Sequence, residues 1–143
     1  MRMTLHELND HYERLRQLFR AEELLERLRA AALPGAQKVS GIPHARNATD
    51  RVGNLAAEIA DVETTLDGLR AQVRAEEPRI AAFIGRIDDL QLRTIMSLRF
   101  LQGMEWADVA DAIGGGNTVA SVSIRCYRFL SYPENLLNDV ERC

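Results

Sequence analysis

Residues 88–130 read DDLQLRTIMSLRFLQGMEWADVADAIGGGNTVASVSIRCYRFL, and their pattern decides the fold class. Ile95, Leu98 and Leu101 recur at helical spacing, and Gly103 suits the left-handed position that ends a helix. A second helix begins near Met104-Glu105-Trp106, with Trp106, Val109, Ala110 and Ile113 on its inner face. The small Ala110 lets a neighbouring helix come close. Gly114-Gly115-Gly116 then interrupts, and Thr118 is a fitting N-cap for a third helix running to Tyr132. In that helix Val122, Cys126, Phe129 and Leu130 form the inner face. Ser121, Ser123, Arg125, Tyr127 and Arg128 are expected to point outward. No acidic side chain lies in it. Three short helices joined by glycine turns make a helix-turn-helix with a support helix, and the last would be the reader.

Arg suits bidentate contacts with guanine edges or phosphates, and Ser and Thr hydroxyls suit phosphate oxygens. The same residues also fit an all-α domain with no DNA partner, in which two Arg and some Ser are a solvated surface.

Working upstream, two longer helices are expected. From Thr4 to Ala32, Leu5, Leu8, Tyr12, Leu15, Leu18, Phe19, Leu25 and Leu28 recur at helical spacing, and Thr4 with Glu7 fits a capping box. Pro34 and Gly35 end this helix, and residues 33–49 read as a loop in which His44 and Arg46 could touch phosphate. A second helix starts near Thr49 or Asp50. Val52, Leu55, Ile59, Val62, Leu66, Leu69 and Val73 alternate steps of three and four, a heptad seam. Ile80, Phe83, Ile87 and Leu90 resume its phase, with Glu76 at the intervening position. Pro78 predicts a kink or a break near Glu77. The seam must be covered by the first helix as a hairpin or by a second chain as a homodimer. No strand signature is present, so the protein is expected to be all-α. The expected division is 1–87 helical hairpin or coiled coil, 88–132 helix-turn-helix domain and 133–143 a short tail that forms a last helix or frays.

The chain has 143 residues, 46% hydrophobic and 27% charged, enough to bury a core. A net charge of −3 excludes a uniformly cationic coat for nucleic acid but not a local basic face. Lys38 is the only lysine among the 18 basic residues. Cys126 and Cys143 are too few for a disulfide framework and lack metal-ligand spacing. His6 and His11 are five apart, off the spacing that places two ligands on one helix face. The glycine run lacks the Lys-Ser/Thr end of a phosphate-binding loop and follows a helix. Glu105, Asp108 and Asp111 lie along one helix and read as solvated acids. No nucleophile, base and oxyanion donor assemble, so no enzyme and no cofactor is expected. Without a signal sequence or an apolar run of about 20 residues, a cytoplasmic protein with no membrane contact is expected.

Residues 89–130 resemble region 4 of sigma-70-type factors. The resemblance rests on Leu98-Arg99-Phe100, Gly103, Trp106-Ala107-Asp108-Val109-Ala110, Ile113-Gly114, Ser121-Val122 and Tyr127-Arg128-Phe129-Leu130. Upstream, Gly41-Ile42-Pro43 and Asp50-Arg51-Val52 followed by the heptad helix are similar to small phage and prophage proteins with a sigma region 4-like C-terminus. The ArpU and RinA types of late-gene regulator are among these. The turn here is about two residues longer than the usual sigma pattern, through Gly115 and Gly116. The resemblance implies a phage-encoded regulator of transcription that binds double-stranded DNA and can touch RNA polymerase. Carried over by position, Thr118, Ser121, Ser123 and Arg125 would face DNA, with Arg128 near a phosphate. The alternative is a non-enzymatic adaptor or assembly module, a polymerase-binding protein or a small-terminase-like packaging subunit.

Overall fold

Thr4 and Glu7 form the expected capping box. The Thr4 backbone N–H donates to Glu7 Oε2 at 2.8 Å, and the Glu7 N–H donates to Thr4 Oγ1 at 3.1 Å. Those bonds satisfy donors that the first helical turn leaves open. The backbone N–H of Thr4, with Arg79 nearby, holds the Glu7 carboxyl below its ordinary value. Helix α1 then runs over Leu5–Ala32. The coordinates, a computed structural model, describe residues 3–33 and 45–131, and the side chains of these except 45–52. The Gly41-Ile42-Pro43 and His44 positions, the side chains of Arg46 and Asp50-Arg51-Val52, and the tail after Ser131 lie outside the described residues.

Helix α2 spans Ala45–Gly85, α3 spans Leu90–Met96, α4 spans Trp106–Ile113 and α5 spans Val119–Ser131. Every regular element among the described residues is helical, as the sequence predicts. One expectation needs correction and another is narrowed. Helix α2 starts at Ala45 rather than at Thr49 or Asp50, because Ala45, Arg46 and Ala48 favour helix. Of the kink or break expected at Pro78, the break does not occur, and α2 continues for seven residues beyond it. Pro78 and Arg74 both lie on the exposed side. There solvent can satisfy the Arg74 carbonyl that loses its helical partner.

The chain forms two compact units, Met1–Leu15 with Val73–Cys143, and Arg16–Gln72. In the second unit the periodic positions face inward: Leu18, Leu25, Val62 and Leu66 are buried, and Leu55, Ile59 and Leu69 half-buried. One chain therefore covers this part of the seam. Arg29 Nη2 donates to Glu63 Oε1 at 3.3 Å between α1 and α2.

The first unit has a thicker core. Leu8, Tyr12, Ile80, Phe83, Ile84, Ile87, Leu92, Met96, Phe100 and Cys126 form one buried cluster. Ile95, Val109, Ala110 and Val122 form another between α3, α4 and α5. Glu76, the polar interruption of the heptad, bonds Arg14 through both its oxygens, with Arg14 Nε at 2.7 Å, and meets His11 Nδ1 at 3.4 Å. His11 is only 1% exposed. Partial burial acts to raise the Glu76 carboxyl, but the bonds from Arg14 and His11 outweigh it and hold it below its ordinary range.

Candidate nucleic-acid interface

The three short helices are joined by two glycine turns. Met96 passes into a single π-helical stretch, Ser97–Leu101, in which the Gln102 N–H reaches back to the Ser97 carbonyl at 3.0 Å. Gly103 follows at φ 70°, and the Met104 N–H donates to the Leu98 carbonyl at 3.1 Å. This bond closes the helix end one residue wider than the usual six-to-one pattern, as the π-helical stretch before it does, and the chain reversal takes place at the left-handed residue that glycine supplies. The second turn holds three glycines in succession at φ 68°, 62° and 80°. Asn117 closes it, donating to the Gly114 carbonyl at 2.8 Å through its side chain and at 3.2 Å through its backbone N–H.

Arg99 locks the first turn to the core. Its guanidinium carbon lies 3.5 Å from the Tyr12 ring centroid and 4.5 Å from that of Trp106. Its Nη1 donates to the Met104 carbonyl at 3.2 Å. Cation–π attraction of this kind is strongest where water is excluded. Burial lowers the Arg99 pKa from its ordinary value, although nearby groups favour the cation. The Trp106 indole N–H donates to the Tyr127 hydroxyl at 3.3 Å, and the two rings meet edge to face at 5.9 Å. Cys126 sits in the same interior, and burial pushes its thiol up to about 12. A thiol so weakly acidic is not a nucleophile near neutral pH.

The expected reader residues separate into distinct roles. Thr118 and Ser121 cap α5 reciprocally. The Ser121 N–H donates to Thr118 Oγ1 at 3.1 Å, and the Thr118 N–H donates to Ser121 Oγ at 2.8 Å. Ser123 is half-buried and donates from Oγ to the Ala120 carbonyl at 3.3 Å. Arg125 is turned back toward α3, where it bonds the carboxylate of Asp89 and the side-chain oxygen of Gln91. Asp89 Oδ1 also accepts the Leu92 N–H at 3.1 Å and so caps α3. That backbone bond, with Arg125 alongside, lowers the Asp89 carboxyl pKa. Only Arg128 keeps an exposed guanidinium, with no hydrogen bond or ion pair among the described residues. Tyr127, expected to point outward, is half-buried against Trp106.

The helical period explains the sorting. Arg125 lies three residues after Val122 and one before Cys126, at the border of the buried stripe. Positions directly opposite Val122 and Cys126 are 120, 124 and 128. Ala120, Ile124 and Arg128 are all exposed, and Val119, at the N-terminal end of α5 and not in this row, is 47% exposed. Ile124 and Val119 were not among the residues expected from the sequence. The signal for Ile124 was the inner stripe itself, whose opposite side it occupies.

Comparison with family models, with curated proteins and with solved structures finds no match to this chain. Among the described residues no group of His, Cys, Asp and Glu is placed to hold a metal ion, and no helix is long and apolar enough to cross a membrane.

Proposed function

We propose that this chain is a phage- or prophage-encoded regulator of transcription. It binds double-stranded DNA sequence-selectively through α3, α4 and α5, used as a sigma region 4-like helix-turn-helix. The observation that carries this reading is the open face of α5. It holds hydroxyl, alkyl and guanidinium groups and no carboxylate, while the acids Asp108 and Asp111 stay on α4. A carboxylate there would repel phosphate, and its absence leaves the helix able to enter a groove. The tight packing of Ile95, Val109, Ala110 and Val122 supports the reading, because a reader must be held rigidly against its support helices. RNA polymerase is the further partner that the resemblance implies. Self-association through the heptad helix is not needed to bury Val62, Leu66 and Val73, which one chain already covers.

The electrostatic share of binding is small in this reading. Residues 89–131 carry four Arg and four acidic residues, so this segment has no formal net charge. Each phosphate neutralised contributes a slope of about −0.9 to the dependence of log affinity on log salt. With Arg128 as the open cation of α5, a shallow slope is expected.

The test is selection of duplexes from a random library by the 143-residue chain, followed by a salt series with Arg128→Ala and with the Arg125/Arg128 double substitution. Selective binding, shallowly salt-dependent and weakened by Arg128→Ala across all selected sites, supports the reader. No enrichment above a non-specific control overturns it. The adaptor or assembly reading then takes its place, and a mass measurement separates a ring-forming packaging subunit from a smaller adaptor.

A further inference from the structure

We infer that α5 recognises thymine methyl groups in the major groove, through the alkyl side chains of Val119 and Ile124. The inference rests on the DNA-binding reading above and names what that helix reads.

Ile124 is 46% exposed on the side of α5 opposite the wholly buried Val122 and Cys126, and Val119 is 47% exposed at the N-terminal end of the helix, in its first turn. Four of the polar groups expected to face DNA make bonds within the chain. Thr118 and Ser121 cap the helix, Ser123 bonds backbone, and Arg125 bonds Asp89 and Gln91. Ala120, Ile124 and Arg128 form one row at steps of four, about 12 Å long at ~1.5 Å per residue. The major groove is about 12 Å wide, and thymine alone among the bases displays a methyl group there. Alkyl side chains meeting that methyl exclude water without any hydrogen bond. Arg128, at the far end of the row, supplies the charge that matches phosphate or a guanine edge.

A protein partner fits the face less well. Two half-exposed alkyl side chains, flanked by Ser121 and Arg128, fall far short of the roughly 800 Å² per partner that a stable interface buries. The ionisable groups of α5 are cationic or neutral throughout, which matches a polyanion.

The experiment replaces thymine by uracil at each position of the selected duplex, which removes the methyl and leaves base pairing intact. Affinity should fall roughly fourfold at each thymine that meets α5, the factor expected for one buried methyl group. Ile124→Ala should bind thymine and uracil duplexes alike at one of those positions. Arg128→Ala should weaken both duplexes equally and leave the uracil effect in place. Ile124 is exposed, so the variant should keep its helical circular dichroism, which is measured alongside. Uracil duplexes bound as tightly as thymine duplexes overturn the inference and leave the DNA-binding reading standing. A methyl effect that survives both Val119→Ala and Ile124→Ala assigns it to other residues and also overturns the inference. No selective duplex binding at all overturns both.

Discussion

The two compact units of this chain bury their apolar side chains to different depths. In residues 16–72 two helical segments meet along one stripe, with Leu18, Leu25, Val62 and Leu66 buried. In residues 1–15 and 73–143 five helical pieces close over Leu8, Ile80, Phe83, Ile84, Met96, Phe100 and Cys126, each at most 2% exposed. A side chain inside several layers is held from all sides, whereas one in a two-helix stripe keeps a route to solvent. Two helices alone seldom bury enough to offset the entropy of ordering them. The thicker unit also tolerates polar groups that a stripe could not. His11 meets Glu76 there and Arg99 stacks on Tyr12 and Trp106, while His11 Nε2 and Arg99 Nε stay buried without a hydrogen bond among the described residues.

The sharpest way to break this comparison is a pair of truncations. Phe100→Ala removes a ring that is fully buried, and should cost about 3–5 kcal/mol. Leu66→Ala lies in the stripe, where neighbours can relax into the space, and should cost about 2 kcal/mol. Denaturant titration measures both. In a Cys143→Ser background, Phe100→Ala should also speed labelling of the buried Cys126 thiol, and Leu66→Ala should leave it nearly unchanged. Equal costs and equal labelling rates would erase the distinction.

A smaller effect is expected from acid. The Glu76 carboxyl is held below its ordinary value of 4.5 by Arg14 and His11, against the opposing effect of burial. A carboxyl lowered on folding contributes stability that is present above its unfolded pKa and is lost as pH falls through its folded pKa. Melting temperature should therefore drop as the solution is acidified below the ordinary carboxyl range. Glu76→Gln should start lower at neutral pH and show a flatter acid limb. Parallel acid limbs in the two proteins would remove Glu76 from the account.

The smallest effect belongs to the stripe's ion pair. Arg29 and Glu63 are 59% and 47% exposed, so water and salt screen their attraction. Arg29→Ala should change stability by no more than about 0.5 kcal/mol. A larger loss would mean that the pair, and not Leu25 and Leu66, holds the two segments in register.

Much of this fold was legible from spacing. The capping box at Thr4 and Glu7, the turn at Gly103, the inner face of α5 and the seam from Leu55 to Val73 all follow from periodicity and local bonding. What spacing could not supply was the partner of each polar group. Glu76 looked like a flaw in a heptad until Arg14 and His11, some sixty residues earlier, were found against it. Arg125 looked like a reader because nothing local marks Asp89 as its acceptor. Pro78 left a kink and a break both open, since spacing does not show that the freed carbonyl faces solvent. The candidate interface was legible as a helix, but the intramolecular partners of its polar groups were not, because a turn of 100° separates the open face at Ile124 from the border at Arg125, which bonds Asp89.

Trp106 is the only tryptophan in the chain, and it lies between Arg99 and Tyr127 at the start of α4. The molecule therefore carries its own optical reporter in a single place. Tryptophan emission follows the loosening of α3, α4 and α5, while far-ultraviolet circular dichroism is dominated by the long helices α1 and α2. Two curves that coincide on heating would describe one cooperative transition, and two that separate would resolve the melting of this corner from that of the rest.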